Sequence, residues 1–361
     1  MAEILARQQA FSGTRDVREQ HRFDEMCLER YLAEHIEGFT APFSVRQFKG
    51  GQSNPTYQLV TPTQKYVLRR KPPGKLLPSA HAVDREFRII SALHPTGFPV
   101  ARPYLLCEDE SIIGTAFYVM GYVEGRIYWG PLLPDQTPEQ RHAIYDAMNE
   151  TFARLHNLDW QALGLGDFGK AGNYVARQIA RWTKQYKASE TERIDEMEKL
   201  IEWLPQHLPK SPRDAIVHGD YRLDNMILHP TEPRVLAVLD WELCTIGDPM
   251  ADFAYHLMPW QMPGEASNTG TSLLGANLRA LGIPPMDEYT AWYLRRTNRE
   301  RLPELDYYYA AYNFFRLAGI LQGIVGRVRD GTAASAQAGE NTRRVRPLAE
   351  WGWYFARRAG A

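Results

Sequence analysis

The stretch Ile216–Pro230, IVHGDYRLDNMILHP, decides the interpretation of this chain, because it sets a His, two Asp and an Asn between apolar segments. A second stretch of the same kind, VLAVLDWELCTIGDP, follows at Val235–Pro249, where Asp240 ends an apolar run. Asp and Asn often cap turns through their own backbone, and Gly219 supplies a bend. That explanation has to hold twice in succession here. Two acidic turns, each after a strand-like segment, also provide what a divalent metal bridging phosphates needs.

The spacing within these stretches indicates phosphoryl transfer. HGDYRLDN places Asn225 five residues after Asp220, the spacing of a kinase catalytic loop, in which the Asp accepts the hydroxyl proton and the Asn binds metal. Asp240 then stands where the metal-binding Asp of D-F-G stands. Asp224 fits neither role, His218 is expected to brace the loop, and Asp248 before Pro249 predicts a helix N-cap.

The pattern of the whole chain predicts an α+β, bilobal protein-kinase-like fold with a β-rich N-lobe and a mainly helical C-lobe. Residues 1–122 form the predicted N-lobe, which has a leading helix around Phe23–His35, an antiparallel sheet and one core helix, HAVDREFRIISAL. Residues 123–361 form the predicted helical C-lobe with the catalytic loop and the substrate site. Its first long helix is predicted by the capping box Thr137–Gln140. Gly331–Arg344 is expected to be a surface loop.

A cation and a carboxylate are expected to pair in the N-lobe. Val67, Arg69 and Lys71 share one strand face, and Glu86 lies on the apolar stripe of the core helix, with Val83, Phe87, Ile90 and Leu93. An unpaired buried carboxylate is costly, so Glu86 should meet a cation, for which Arg69 is the expected partner. The alternative is a solvated Glu beside a solvated basic strand end. Whether Arg69 or Lys71 binds phosphate stays open.

Two further segments are candidates for holding a nucleotide. In GGQSN, the residues Gly50, Gly51, Ser53 and Asn54 are expected to cover the terminal phosphates, although the match to glycine-rich motifs is weak and a plain hairpin is the alternative. VMGYV, Val119–Val123, is expected to join the lobes. There Met120 and Tyr122 are the candidate adenine-binding residues, through backbone groups and the apolar wall of Met120.

The quoted motifs resemble the aminoglycoside phosphotransferase-like family of small-molecule kinases, which includes choline kinase-type enzymes. The similarity runs from about Phe43 to Tyr255 and rests on HGDYRLDN and on DWE, which stands in for D-F-G. Within the family, GGQSNPTYQL and GTAFYVMGYVEGR are most similar to the kinase domain fused to certain acyl-CoA dehydrogenases and to its stand-alone bacterial relatives.

The resemblance implies ATP-dependent phosphorylation of the 4-hydroxyl of a hydroxyacyl-CoA. It gives ATP and Mg²⁺ as cofactors, Asp220 as catalytic base, and Asn225 and Asp240 as metal ligands. Arg69 stands where many kinases have Lys, which preserves the charge but not the geometry.

Composition restricts the partners. The 361 residues carry a formal net charge of −1, which gives no general attraction to nucleic acid or to an anionic membrane. No apolar run is long enough to span a bilayer, the first residues lack the apolar core of a signal peptide, and the three cysteines are scattered. A cytoplasmic protein is expected, with its oligomeric state and its choice of ATP or GTP left open.

Charge in the last third bears on the acceptor. From His256 onward there are thirteen arginines against nine acidic residues, a net charge of +4. Arginine suits the phosphates of CoA, whereas a polycationic aminoglycoside favours carboxylates. A hydroxyacyl-CoA is therefore the expected acceptor. The alternatives are an aminoglycoside or amino-alcohol kinase, or a catalytically silent nucleotide-binding module.

Overall fold

A computed structural model describes residues 11–50, 54–73, 81–210, 213–264, 266–267, 271–329 and 342–361. The expected phosphate-covering residues Gly51 and Ser53, and residues 331–341 of the expected loop, lie outside these ranges.

The described strands form one large sheet and two small ribbons. The six-stranded sheet has the order β1-β2-β3-β4-β6-β5, and all its neighbours are antiparallel, as predicted. β7 pairs with β10 and β8 pairs with β9, also antiparallel. The strands are β1 Thr14–Arg15, β2 Ser44–Phe48, β3 Thr56–Val60, β4 Lys65–Arg70, β5 Pro103–Cys107, β6 Phe117–Gly121, β7 Ala215–Val217, β8 Met226–Leu228, β9 Val235–Val238 and β10 Thr245–Gly247.

Most of the described α-helices follow residue 130. They are α1 Glu25–His35, α2 Val83–Leu93, α3 Pro138–Asn157, α4 Tyr174–Ser189, α5 Asp195–Gln206, α6 Pro249–His256, α7 Met258–Gln261, α8 Leu278–Leu281, α9 Met286–Thr297, α10 Tyr308–Arg329 and α11 Thr342–Arg358. The α+β class is thus confirmed. Not one of the helices within the described ranges is long and apolar enough to cross a membrane.

The chain divides into two compact units. The first comprises Met1–Gly130, Gln161–Leu165 and Arg222–Cys244, and the second comprises Pro131–Trp160, Gly166–Tyr221 and Thr245–Ala361. The division assigns Asp220 to the second unit, and Asn225 and Asp240 to the first.

The sheet of the first unit buries one face beneath α1. Side chains alternate across a strand, so Leu59 of β3, Leu68 of β4 and Val119 of β6 share a face, and all three are fully buried together with Leu28 and Leu32 of α1. Full burial of such a side chain stabilises the fold by roughly 1.5–3 kcal/mol. The alternation sends Arg69 of β4 and Tyr118 of β6 to the other face.

The core helix of the first unit differs from its prediction in one detail. Ile89 of α2 is buried, whereas Phe87 is only half-buried. Ile89 therefore takes the place on the apolar face of the helix that the sequence pattern assigned to Phe87. Glu86 lies in that stripe with 1% of its surface exposed.

The second unit begins at α3 with the predicted capping box. The Thr137 side chain accepts from the Gln140 N–H, and the Gln140 side chain accepts from the Thr137 N–H. At α6 the predicted N-cap is confirmed as well, because the Asp248 carboxylate accepts from the backbone N–H groups of Met250 and Ala251. The β7–β10 ribbon pairs Ala215 with Gly247, so it holds the start of the HGD loop and the start of α6 together.

Candidate active site

In the first unit a buried arginine contacts three carboxylates. Nε of Arg69 lies 2.8 Å from Oε2 of Glu86, and its Nη2 lies 2.9 Å from Oδ1 of Asp240 and 4.0 Å from Oε2 of Glu242. The predicted pairing of Arg69 with Glu86 is therefore present. These carboxylates raise the pKa of the Arg69 guanidinium above its usual value despite the opposing effect of burial.

Glu86 is held by more than its ion pair. Oε1 accepts from Nδ2 of Asn54 at 2.8 Å, and Oε2 accepts from the Tyr118 hydroxyl at 3.1 Å. Oδ1 of Asn54 lies 2.8 Å from Nδ1 of His81, which fixes the Asn54 amide. Burial raises the pKa of Glu86 while the charge of Arg69 opposes that rise. The buried Asn54 side chain thus orients Glu86 in this arrangement.

Asp240 occupies a strained backbone position. Its φ is +64°, in the left-handed region, and it begins the 3₁₀ turn Trp241–Leu243. This conformation disfavours residues with a Cβ, although Asp tolerates it better than most. Strain of this kind persists where the surroundings enforce it, and it is concentrated at functional sites. Here it accompanies a carboxylate that meets Arg69 and remains about a third exposed.

The β8–β9 ribbon brings Asn225 beside the Asp240 segment. Asn225 ends the 3₁₀ turn Leu223–Asn225, Met226 pairs with Val238, and the Leu239 N–H donates to the Asn225 carbonyl at 2.8 Å. The two residues expected to bind metal thus lie at the same end of one ribbon. Mg²⁺ bound to phosphates takes one or two protein oxygen ligands, so an Asn and an Asp suit it. No cluster of three or more His, Cys, Asp or Glu able to hold a metal occurs in the described part of the chain.

The HGD loop in the second unit is fixed through its backbone. Gly219 has a φ of +84°, which favours glycine. The Asp252 carboxylate, 2% exposed, accepts from the His218 N–H at 2.7 Å and from the Gly219 N–H at 2.9 Å. Nδ1 of His218 accepts from the Asp220 N–H at 3.2 Å, so His218 braces the loop as expected.

Two buried histidines support this loop, and neither was predicted from the sequence. Nε2 of His156 lies 3.3 Å from Oδ2 of Asp252, and Nδ1 of His256 lies 3.0 Å from the Tyr221 carbonyl, to which it must donate. Burial lowers the pKa of His156, and it lowers the pKa of His256 to about 4, so both are neutral at pH 7. Hydrogen bonding to His156 lowers the pKa of Asp252 against the effect of burial.

Side chains also contact Asp220 and its loop from α6 and α10. The Tyr255 hydroxyl donates to Oδ1 of Asp220 at 2.6 Å. Nη2 of Arg316 donates to the Gly219 carbonyl at 2.7 Å, and its guanidinium lies 4.8 Å from the centre of the Tyr255 ring. Sequence reasoning missed Tyr255, Arg316 and Asp252. The available signal was a set of polar residues within otherwise apolar helices, PMADFAYH and YYAAYNFFRLAGIL.

The expected nucleotide-binding residues on the sheet are placed as follows. Met120 of β6 pairs with Val67 of β4. The Tyr122 N–H donates to the Lys65 carbonyl at 3.3 Å, and Nζ of Lys65 lies 5.1 Å from the centre of the Tyr122 ring. The Tyr122 N–H is thus already bonded within the sheet. A contact between Tyr122 and adenine would therefore have to involve another group of Tyr122.

The remaining expected residues flank these strands. A Cβ built on Gly50 would come within 3.3 Å of the Trp129 ring, so the chain passes close to that ring at the start of the glycine-rich segment. The Lys71 N–H donates to the Ala116 carbonyl just beyond β4.

Comparison with known proteins identifies the family of this chain. The family model described as "Phosphotransferase enzyme family" matches residues 44–305. The chain belongs to this family. A Ralstonia eutropha structure, described as that of a candidate aminoglycoside phosphotransferase, is 53% identical with a TM-score of 0.85, covering 93% of this chain and 99% of that one. The predicted ATP-dependent phosphotransferase with an alcohol group as acceptor is confirmed at the level of the family.

Curated relatives extend the comparison. The chain is 46% identical over 351 residues to mouse acyl-CoA dehydrogenase family member 10, covering 96% of this chain and 32% of the mouse protein. It spans less than half the length of the curated relatives it matches. Aminoglycoside phosphotransferase APH(4)-Ia, solved with AMP-PNP and hygromycin B, is 13% identical with a TM-score of 0.59, covers 92% of this chain and 99% of that one, and shows the kinase-like fold alone.

Proposed function

We propose that this chain transfers the γ-phosphoryl group of Mg–ATP to a hydroxyl of a small molecule, and that the acceptor is a hydroxyacyl-CoA, phosphorylated at its 4-hydroxyl. The observation that supports the chemistry best is the charge cluster of the first unit. There one buried arginine faces Glu86, Asp240 and Glu242, with Asn225 at the end of the adjoining ribbon.

This cluster presents partly exposed carboxylates that suit a cation. Arg69 contacts three acidic side chains, of which Asp240 and Glu242 remain partly exposed. Asn225 and Asp240 would hold Mg²⁺, which would neutralise charge on the phosphates during transfer. The guanidinium has five N–H donors in a planar fork, so Arg69 would orient Glu86 and still direct donors to phosphate oxygens.

Asp220 is the proposed base. Its carboxylate would accept the proton of the acceptor hydroxyl while that oxygen bonds to the γ-phosphorus and the bond to the leaving oxygen of ADP breaks. Because the transition state is mostly dissociative, orienting the hydroxyl matters as much as removing its proton. The fixed backbone of the HGD loop, described above, suits a residue whose role is orientation.

Substitution of this base gives a direct test with an internal control. Asp220→Asn should retain Mg–ATP binding, measured by calorimetry, and lower turnover by about 10²–10⁴-fold. Asp224→Asn is the matched control, because Asp224 lies on the same loop and pairs with Arg222 at 3.2 Å. It should leave turnover within a few-fold of wild type. Unchanged turnover in Asp220→Asn, or equal losses in both variants, would remove Asp220 from this role.

The acceptor class is supported by the relatives more than by surface charge. In the described part of the chain, four of the C-terminal arginines pair with acidic residues, and Arg316 is buried. The pairs are Arg279 with Glu288, Arg296 with Asp146, Arg301 with Asp306 and Arg346 with Glu192. Fewer of the thirteen C-terminal arginines therefore remain for a CoA phosphate than the net charge of this segment implied. The curated relatives carry this segment in polypeptides named for acyl-CoA dehydrogenases, so a shared acyl-CoA ligand is the simplest link.

The second candidate is aminoglycoside phosphorylation, favoured by the description of the 53% identical Ralstonia structure. A panel of 4-hydroxydecanoyl-CoA, kanamycin and choline, assayed for ADP release and phosphorylated product, separates the two. We expect product from the CoA ester alone, with an apparent affinity that falls as salt rises because phosphate contacts are screened. Product from kanamycin alone would establish the second candidate. ATP binding without product from any of the three would favour a silent nucleotide-binding module.

A further inference from the structure

Helix α6 contacts four consecutive residues of the HGD loop from one face. Asp252 accepts from the N–H groups of residues 218 and 219, Tyr255 donates to the side chain of residue 220, and His256 donates to the carbonyl of residue 221. Positions 252, 255 and 256 are spaced i, i+3 and i+4, so they project from the same side of the helix. Three of the four contacts fix backbone, and the Tyr255 contact fixes the side chain of the proposed base.

We infer that Tyr255 is a positioning residue for the phosphoryl-transfer step, which rests on the proposed role of Asp220. A carboxylate rotates broadly about its terminal torsion unless a donor holds one oxygen. The 2.6 Å hydrogen bond from Tyr255 to Oδ1 sets that rotation and hence the direction of Oδ2. Because the donor is a neutral hydroxyl, it holds the carboxylate without adding a positive charge that would compete with the acceptor hydroxyl.

Arg316 holds the tyrosine in turn. Its guanidinium lies 4.8 Å from the centre of the Tyr255 ring, within the range of a cation–π contact, and the residue as a whole is 4% exposed. The same group donates to the Gly219 carbonyl, immediately before Asp220. Arg316 therefore links the backbone on one side of the base to the ring that holds its side chain.

The second unit contains a matched hydrogen bond at the start of the same helix. The Tyr309 hydroxyl donates to Oδ2 of Asp248 at 2.8 Å, and Asp248 is the N-cap of the same helix α6. Tyr255→Phe and Tyr309→Phe thus each remove one hydroxyl from one aspartate in the same unit. A loss caused by general loosening of α6 would appear in both variants, whereas a loss caused by a misdirected base would appear only in the first.

The test measures transfer from radiolabelled ATP to the acceptor that the panel identifies, either 4-hydroxydecanoyl-CoA or kanamycin, together with the melting temperature. Tyr255→Phe should lower kcat by about 10- to 100-fold, the range for a hydrogen bond to a charged group, with KM for both substrates within about twofold. Tyr309→Phe should lower the melting temperature and leave kcat within about twofold.

A double-mutant cycle shows whether Tyr255 acts through Asp220. In the Asp220→Asn background, single-turnover measurements should show no further loss from Tyr255→Phe, because the group it positions is already gone. An unchanged kcat in Tyr255→Phe, or the same fold loss in both backgrounds, would overturn the inference while leaving the base assignment intact. Wild-type turnover in Asp220→Asn would instead overturn the proposed function, and the inference with it.

Discussion

Removing the positive charge of Arg69 should destabilise the protein in a way that depends on pH. Arg69→Met keeps the length and apolar character of the side chain but leaves Glu86 without its cation, at a position where Glu86 is 1% exposed. An unpaired carboxylate at such a site avoids the cost of burial by taking up a proton. The penalty in the variant is then capped by the free energy of protonating Glu86.

That cap follows from the ordinary pKa of Glu, about 4.3, and from 1.36 kcal/mol per pH unit. Protonation costs about 3.7 kcal/mol at pH 7 and about 1.6 kcal/mol at pH 5.5, so the penalty should shrink by about 2 kcal/mol between them. The sign follows from the direction of the shift. Loss of Arg69 raises the folded-state pKa of Glu86 further above its unfolded value, so the variant regains stability as pH falls.

Urea unfolding of wild type and variant at pH 7 and pH 5.5 measures this difference. Arg70→Met is the matched control, because Arg70 is the next residue of β4, is 2% exposed, and donates to the Ile113 carbonyl at 3.2 Å. Its penalty should change much less between the two pH values than that of Arg69→Met, because the charge of Arg70 is only one of the smaller causes that lower the pKa of His21. Arg69→Met/Glu86→Gln should lose the pH dependence. An equal penalty at both pH values in Arg69→Met would show that Glu86 is not the group left unpaired.

Three further substitutions test other contacts. Asp240→Ala and Asp240→Gly should both abolish Mg²⁺-dependent ATP binding measured by calorimetry, and ATP affinity equal to wild type would exclude Asp240 as a ligand. The Gly variant should be about 1 kcal/mol more stable to unfolding than the Ala variant, because φ is +64° at this position. Asp252→Asn should cost about 1–3 kcal/mol in urea unfolding, because an amide NH₂ would face a backbone N–H donor; unchanged stability would contradict that. Gly247→Ala should lower the melting temperature, since the added Cβ would lie 2.3 Å from the Tyr174 ring, whereas Gly264→Ala, with open space around it, should not; equal melting temperatures would contradict the close approach.

The contacts that the sequence could predict are those that a local pattern encodes. Glu86 was expected to meet a cation because a carboxylate on the apolar stripe of a helix has few other solutions, and Arg69 was the cation on the adjacent strand face. Asp248 was expected to be an N-cap because it precedes a proline at a helix start. In both cases the partner is fixed by secondary structure alone.

The contacts that the sequence could not predict join segments far apart in the chain. Nothing in the sequence period of α10 indicates that Arg316 meets Tyr255, because that contact depends on how two helices of the second unit pack.

Helix α11 was not predicted either, because packing and not local preference decides it. Pro347 argues against a helix there, yet Val345, Leu348 and Phe355 are buried, and packing outweighs the local preference.

Buried charge is compensated differently in the two units. In the first unit Arg69 contacts the carboxylates of Glu86, Asp240 and Glu242 directly. In the second unit Asp220 meets a neutral hydroxyl, and Arg316 contributes its charge from behind the ring. The proposed base must keep an oxygen lone pair available to take up a proton, so a direct ion pair to Arg316 would oppose that role. The proposed metal-binding role of Asp240 carries no such constraint, which is compatible with its direct ion pair to Arg69.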